Sequence, residues 1–371
     1  MNSDRALLTL VRARLPDALL RTLLEGHRDP VDALGAARHG TGMSLPAPCR
    51  AALRRPDPAR LESDLAWLAT PGCRLLGWQH PDYPALLRRA PSPPPVLFLA
   101  GDADLLWHPQ VAIVGSRKPS AGGRERSRQF GRAFAAAGWA VTSGLAEGID
   151  TAAHEGALAA GRTVAVVGTG LDLAYPAVNA GLMARIVATG AVVSEHPPGT
   201  PAIANHFPSR NRIIAGLSLG TLVVEAALRS GALISARLAA EAGREVFALP
   251  GSLDNPMARG CHRLIREGAA LVESPQEVVA ALGPVAGNLA EALRGRLSKA
   301  PASPGTRSSA GQPTEGKDHN RLWSALGHDP TGMDTLVDRT GLTVADLSSM
   351  LLLMELDGRV VADNGRYARR S

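Results

Sequence analysis

Six short apolar runs recur at regular intervals through the middle of the chain, and they constrain the fold more than any other feature. They occupy residues 111–114 (VAIV), 140–142, 163–167 (TVAVV), 191–193, 221–224 (TLVV) and 245–249. Each is only a few residues long and apolar at successive positions, so both faces must be covered. That pattern belongs to the buried strands of a parallel sheet. Helix-compatible stretches lie between them, at residues 123–137, 150–160 and 231–242. A repeated strand-then-helix order predicts a Rossmann-like, doubly wound α/β domain with a mainly parallel sheet, here over residues 73–282.

The flanks read differently. Residues 1–71 hold short apolar-periodic stretches punctuated by Pro16, Gly26, Pro30, Gly35 and Gly40. They predict a small helical domain of the SAM or helix-hairpin-helix kind. Residues 283–318 shift to Pro, Ser and Gly and read as a flexible linker. Residues 319–371 predict three helices, at 321–327, 333–340 and 344–356, then a hairpin turning at Asn364-Gly365. That order is a winged helix. Its third helix carries Asp346, Glu355 and Asp357 rather than basic residues, which leaves duplex DNA or a protein as its partner.

Charge and composition narrow the function. The formal net charge is +6, which favours a polyanionic partner. Of 40 basic residues only Lys118, Lys299 and Lys317 are lysines, and arginine's planar fork suits phosphate and bases. The cysteines, Cys49, Cys73 and Cys261, are odd in number and far apart, so neither a disulfide framework nor a zinc site is expected. No signal peptide or membrane span is expected either, and a cytoplasmic location fits.

Ligands of an open α/β sheet bind at the carboxyl ends of its strands. Small residues cluster at every exit: Gly115-Ser116-Arg117-Lys118, the loop from Ser143-Gly144 to Gly148, Gly168-Thr-Gly170, Ser230-Gly231 and Pro250-Gly251. Glycines there let backbone amides approach a phosphate. Yet no loop completes a dinucleotide fingerprint or a P-loop, so no cofactor is expected. Phe207-Pro-Ser-Arg210-Asn211-Arg212 stands before an apolar helix at residues 213–217. It offers a stacking ring beside guanidinium groups, the pairing that sequence-tolerant single-strand binding uses. Alternatively, Arg210 and Arg212 tie loops together through carboxylates such as Glu225. Asp150 reads as a helix cap and His154 as a buried, hydrogen-bonded histidine. No triad, carboxylate pair or metal-ligand spacing emerges.

The ordered segments VAIVGSRKPS (111–120), SGLAEGIDTAAHEGAL (143–158), TVAVVGTGLDLAYP (163–176), FPSRNRIIAGLS (207–218) and VVEAALRSGALISA (223–236) resemble the DprA (Smf) family of DNA-processing proteins. The stretch 249–269 and the lead-in from Trp78 to Asp102 are also similar. The resemblance implies a non-enzymatic protein that binds single-stranded DNA and loads the RecA recombinase onto it, notably in natural transformation. It implies backbone contacts from Gly115, Ser116 and Arg117 and a base contact from Phe207. Where the family often has a lysine before that phenylalanine, this chain has Ala204, so positive charge must come from Arg117, Lys118 or Arg210. The resemblance also implies a homodimer through the Rossmann-like domain, with His262, Ile265 and Leu271 at the interface.

Overall fold

The computed structural model describes residues 2–40, 44–297, 321–323, 325–326, 331–343, 347, 350–351, 354, 360–363 and 366–369. The chain divides into two compact units, Met1–Lys299 and Ala300–Ser371.

The first unit opens with five helices: α1 (Ser3–Arg12), α2 (Asp17–Glu25), α3 (Pro30–His39), α4 (Ala47–Arg54) and α5 (Pro58–Leu68). Local chemistry sets their starts. Asn2, Asp29 and Asp57 accept amide hydrogens at the beginnings of α1, α3 and α5, and prolines occupy the first turns of α3, α4 and α5. Gly40, in the left-handed region, ends α3. These helices share one core with the sheet that follows. Leu7, Leu10, Leu34 and Leu53 are buried in the same cluster as Phe98, Ala165 and Val192. Arg12 adds a bond to Asp64 and another to the Pro198 carbonyl.

A nine-stranded sheet forms the centre. Its strands are β1 (Cys73–Gly77), β2 (Val96–Gly101), β3 (Gln110–Val114), β4 (Ala140–Ser143), β5 (Thr163–Val166), β6 (Ala191–Ser194), β7 (Gly220–Val223), β8 (Glu245–Ala248) and β9 (Ala270–Leu271). The spatial order is β1-β2-β6-β5-β4-β3-β7-β8-β9. All neighbours from β6 to β9 are parallel, while β1 and β2 run antiparallel. The six expected strands sit within a residue or two of their predicted places. The antiparallel pair and the edge strand β9 were not anticipated.

The helices of this domain are α6 (Ala85–Arg88), α7 (Ala121–Ala136), α8 (Ile149–Ala157), α9 (Ala180–Thr189), α10 (His206–Leu217), α11 (Gly231–Glu241), α12 (Arg259–Arg266) and α13 (Pro275–Leu297). The residues of β3 to β7 are buried throughout, as runs apolar on both faces require. From β3 the chain winds outward through β4 and β5 to β6, then returns to place β7 on the other side of β3. The reversal creates a crevice between the carboxyl ends of β3 and β7, the place where open α/β sheets bind ligands. No helix among the described residues is long and apolar enough to cross a membrane.

In the second unit, α14 (Met333–Thr340) is followed by the described part of the third expected helix, where Leu347, Met350, Leu351 and Met354 are helical. Strands β11 (Val360–Asp363) and β12 (Arg366–Arg369) form the expected hairpin, and β10 (Thr331–Gly332) adds a third strand against β12. Leu322, Leu326, Leu336, Leu347, Leu351, Met354 and Val360 make the core. Arg369 lies over the Trp323 ring, 4.6 Å from its centroid. Most of the linker expected over residues 283–318 lies outside the described residues, although α13 continues to Leu297. The acidic positions of the third helix lie outside them too.

Candidate nucleic-acid interface

A cleft of about 720 Å³ opens at the switch point. Gly115 and Arg117 from the β3 exit line it, with Ala146 and Asp150 after β4, Tyr175 after β5, Ala202 and Ala204 after β6, and Ser230-Gly231 after β7. One wall is α10. The FPSRNR segment precedes no separate helix, because α10 starts at His206 and the segment forms its first turns. Spacing of i, i+3, i+4 and i+7 then puts Phe207, Arg210, Asn211 and Ile214 on the face that lines the cleft. Arg212 falls on another face. It bonds to Glu195, to Asp17 at 2.9 Å and to the Ser92 carbonyl at 2.8 Å, tying α10 to α2.

Loop β3–α7 and loop β7–α11 approach closely. The Ser116 amide donates to the Glu225 carbonyl at 2.7 Å. A side chain on Gly115 would meet that same oxygen at 2.9 Å, and Ile149 at 2.6 Å. Gly148 has a φ of 86° and lies under Ser116, where a Cβ would come within 2.4 Å of its carbonyl. Both glycines therefore serve the packing of one loop on another. The Glu225 carboxylate accepts from the Ser120 amide (2.8 Å), the Ser120 hydroxyl (2.6 Å) and Asn255 (3.1 Å). It is a loop anchor, and neither Arg210 nor Arg212 is its partner.

The β4 exit holds its own internal anion. Leu145 is buried in the left-handed region with φ 58°, so the amides of Gly144 and Ala146 converge. They donate to one oxygen of Asp150, at 3.1 and 3.3 Å. Asp150 is therefore not the helix cap it resembles, since Gly148 occupies that position on α8. Its carboxylate fills a backbone nest that would otherwise suit a phosphate. Burial raises its pKa, and Arg210 opposes that shift. Arg210 is itself only 5% exposed and donates to the Val166 carbonyl. Burial lowers its pKa to about 10, Asp150 raises it, and Arg117 adds a smaller repulsion. His154 is fully buried with Nδ1 2.7 Å from the Thr163 hydroxyl. Burial and Arg210 pull its pKa down to about 3, so it is a neutral structural residue.

The cleft thus gathers Gly115, Arg117, Phe207, Arg210, Asn211, Ser230 and Gly231, and Gly144 lines an adjoining recess. Ser230 caps α11 by accepting from Ala232 at 3.2 Å, and the Gly231 amide has no acceptor among the described residues. Besides Arg212, five candidates are not cleft-lining. Ser116 is buried and accepts from the Lys118 amide at 3.1 Å, while the Lys118 side chain is exposed outside the wall. The Ser143 hydroxyl donates to the Ile113 carbonyl at 2.6 Å, Gly148 is the packing glycine just described, and Gly168 lies beneath the start of α10. His262 and Ile265 sit on α12, and Leu271 is 48% exposed on the edge strand β9.

Tyr175 joins the site only in the folded chain. Its ring lies 5.0 Å from that of Phe207, inclined at 34°, and it is 46% exposed at the rim. The available signal was its place in the exit loop after β5. Arg117 is exposed and has no carboxylate partner among the described residues, which makes it the available cation of the wall.

Comparison with known proteins agrees with this architecture. The family model for DNA recombination-mediator protein A matches residues 74–283, and that for the DprA winged helix domain matches residues 306–366. Protein Smf of Escherichia coli (strain K12) is 41% identical over 312 residues, spanning 83% of this chain and 80% of that protein. The X-ray structure of DNA processing protein A from Streptococcus pneumoniae is similar with a TM-score of 0.67 and 39% identity, covering 75% of this chain and 97% of that one. DNA processing protein A from Helicobacter pylori, whose structure was described for its single-stranded DNA binding mode, gives a TM-score of 0.52 at 30% identity, covering 57% and 95%. With the switch-point cleft in place and matches extending over both units, the chain belongs to the DprA (Smf) family of DNA-processing proteins.

Proposed function

We propose that the chain binds single-stranded DNA in the switch-point cleft and delivers it to the RecA recombinase in natural transformation and recombination. The observation that carries this reading is the make-up of the cleft wall. The Tyr175 and Phe207 rings lie together and line it with the exposed guanidinium of Arg117, which has no carboxylate partner among the described residues. Aromatic faces accept any base and a fixed cation accepts the intervening phosphate, which gives affinity without sequence preference. The described behaviour of the Helicobacter pylori relative supports the same ligand.

The protein acts as a binder rather than an enzyme. Asp150 is enclosed by two amides with Arg210 nearby, and Glu225 is saturated by Ser120 and Asn255. Both carboxylates are committed to hydrogen bonds within the protein. The chain works in the cytoplasm as a homodimer through α12 and β9, with His262, Ile265 and Leu271 at the contact. Both residues of β9 are exposed at the sheet edge, where a second copy can cover them. The winged helix contributes a contact to duplex DNA or to a protein.

The test is a salt titration of binding to single- and double-stranded oligonucleotides of equal length. The expected result is tight, length-dependent binding to the single strand that weakens steeply with salt. Equal or stronger binding of the duplex by the first unit refutes the assignment.

A further inference from the structure

The switch-point cleft does not end at α11. Ser230 and Ile234 line it, and the same two residues line a second groove of about 690 Å³ between α11, α12 and the start of β8. Leu228, Leu233, Val246 and Leu264 give this groove an apolar lining. Leu228 is 49% exposed. Arginines 229, 237, 244 and 263 stand around it against Glu245 and Glu267. Arg263 pairs with Glu267 at 2.8 Å and Arg237 with Glu241 at 3.6 Å, both in solvent, where such pairs are weak and exchange readily. Arg229 is exposed and has no carboxylate partner among the described residues.

We infer that this groove is a second single-stranded-DNA subsite that carries the strand onward from the cleft, with Arg229 and Arg237 on its phosphates and the apolar lining beneath its bases. The inference rests on the cleft binding single-stranded DNA as proposed above. Continuity is the first argument, because a strand leaving the cleft past Ser230 enters the groove directly. Charge is the second, since four arginines line the groove against Glu245 and Glu267; Arg244 is tied to the Leu86 carbonyl and Arg237 pairs weakly with Glu241, while Arg229 is exposed. Length is the third. The 11 residues of α11 rise ~1.5 Å each, enough for about five nucleotides at the ~3.4 Å spacing of stacked bases. Helix geometry also keeps the groove open in the proposed dimer. Arg263, Leu264 and Glu267 share the groove face of α12, whereas His262 and Ile265 fall on the opposite face.

The experiment measures affinity for oligonucleotides of roughly 6 and roughly 14 nucleotides, a range that separates one subsite from two. It compares the full chain, Arg117→Ala and the double variant Arg229→Glu/Arg237→Glu. The double variant is expected to lose on the order of tenfold per phosphate contact on the longer strand and to bind the shorter one as the parent does. Arg117→Ala is expected to weaken both. If the double variant binds both lengths normally while Arg117→Ala weakens both, the groove inference falls and the cleft reading stands. If the parent binds neither length, both readings fall together. Leu228→benzoylphenylalanine gives a second readout. Photocrosslinking to the longer oligonucleotide supports the subsite, and crosslinking to a second copy of the chain in its place overturns it.

Discussion

Replacing Arg210 by methionine separates two roles that a basic residue of this cleft can play. The guanidinium lines the cleft, yet it is 5% exposed, donates to the Val166 carbonyl and packs against Gly144, where a Cβ would lie 2.1 Å from one of its nitrogens. Its charge balances Asp150, which is 7% exposed. Methionine keeps much of the volume and removes the charge, leaving the Asp150 carboxylate to its hydrogen-bond donors, the amides of Gly144 and Ala146 and the nearby Ser143 hydroxyl. Orphaning one member of a buried charged pair costs about 3–5 kcal/mol, and the two remaining amides place this case at the lower end. With a urea slope of about 3 kcal/mol per M for a large unit, a loss of about 3 kcal/mol lowers the midpoint by ~1 M. Asp150→Asn in the same chain removes the orphaned charge and is expected to restore most of the loss, a coupling that a double-mutant cycle measures. Urea unfolding followed by circular dichroism supplies the midpoints. Salt-titrated binding to single-stranded DNA on the folded variants supplies the second readout, and its slope is expected to be unchanged. An unchanged midpoint together with a salt slope reduced by about 0.7 would show Arg210 on a phosphate and refute the structural role.

Arg117→Ala is expected to weaken single-strand binding by about 1–3 kcal/mol and to flatten the salt dependence, measured by fluorescence anisotropy at several salt concentrations. Ala204→Lys, at an exposed position of the cleft wall, is expected to tighten binding and steepen the same slope by about 0.7; no change would place the strand away from this rim. Tyr175→Ala is expected to cost about 1–3 kcal/mol of affinity while Tyr175→Phe retains it, because the ring face and not the hydroxyl does the stacking. Quenching of 2-aminopurine in the bound strand reports that contact directly. For pH, the unfolded chain protonates His154 near its ordinary value of 6.5, whereas the folded chain resists until about 3. Stability from this group is complete above 6.5 and falls by up to about 1.4 kcal/mol per pH unit on acidification towards 3. His196, lowered to about 4 by burial and by His206 and Arg212, adds the same sign. Asp150 and Glu195, raised by burial, oppose it at lower pH. Comparing urea midpoints from pH 7 to 5 for the parent and His154→Gln isolates the His154 share, and parallel profiles would remove it.

Much of the fold was legible in local pattern. Strands buried on both faces cannot alternate polar and apolar residues, so β3 to β7 announce themselves in the sequence as short apolar runs. The family segments likewise follow the strand exits in order. The antiparallel pair β1 and β2 was not legible. Val96–Gly101 is as apolar as the parallel strands, but strand direction depends on which partner the chain finds. The start of α10 was also misplaced, because Pro208 and the polar residues around it resemble a loop, whereas proline is tolerated in the first turn of a helix.

For the site, sequence alone determined which loops meet at the carboxyl end of the sheet and which residue types they carry: glycines, arginines and one phenylalanine. Which of those groups remain available to a ligand was decided only by tertiary structure. Arg117, Arg210 and Arg212 are chemically identical side chains. One is exposed in the cleft, one is buried opposite Asp150, and one is bonded to Glu195 and Asp17. The Gly144 amide looked ready for phosphate and instead holds an aspartate six residues further on. Tyr175 gained its role by lying against a ring from another exit loop. Partners of this kind depend on side-chain directions and distances across the sheet edge, and those are settled when the helices pack, not by the order of residues along the chain.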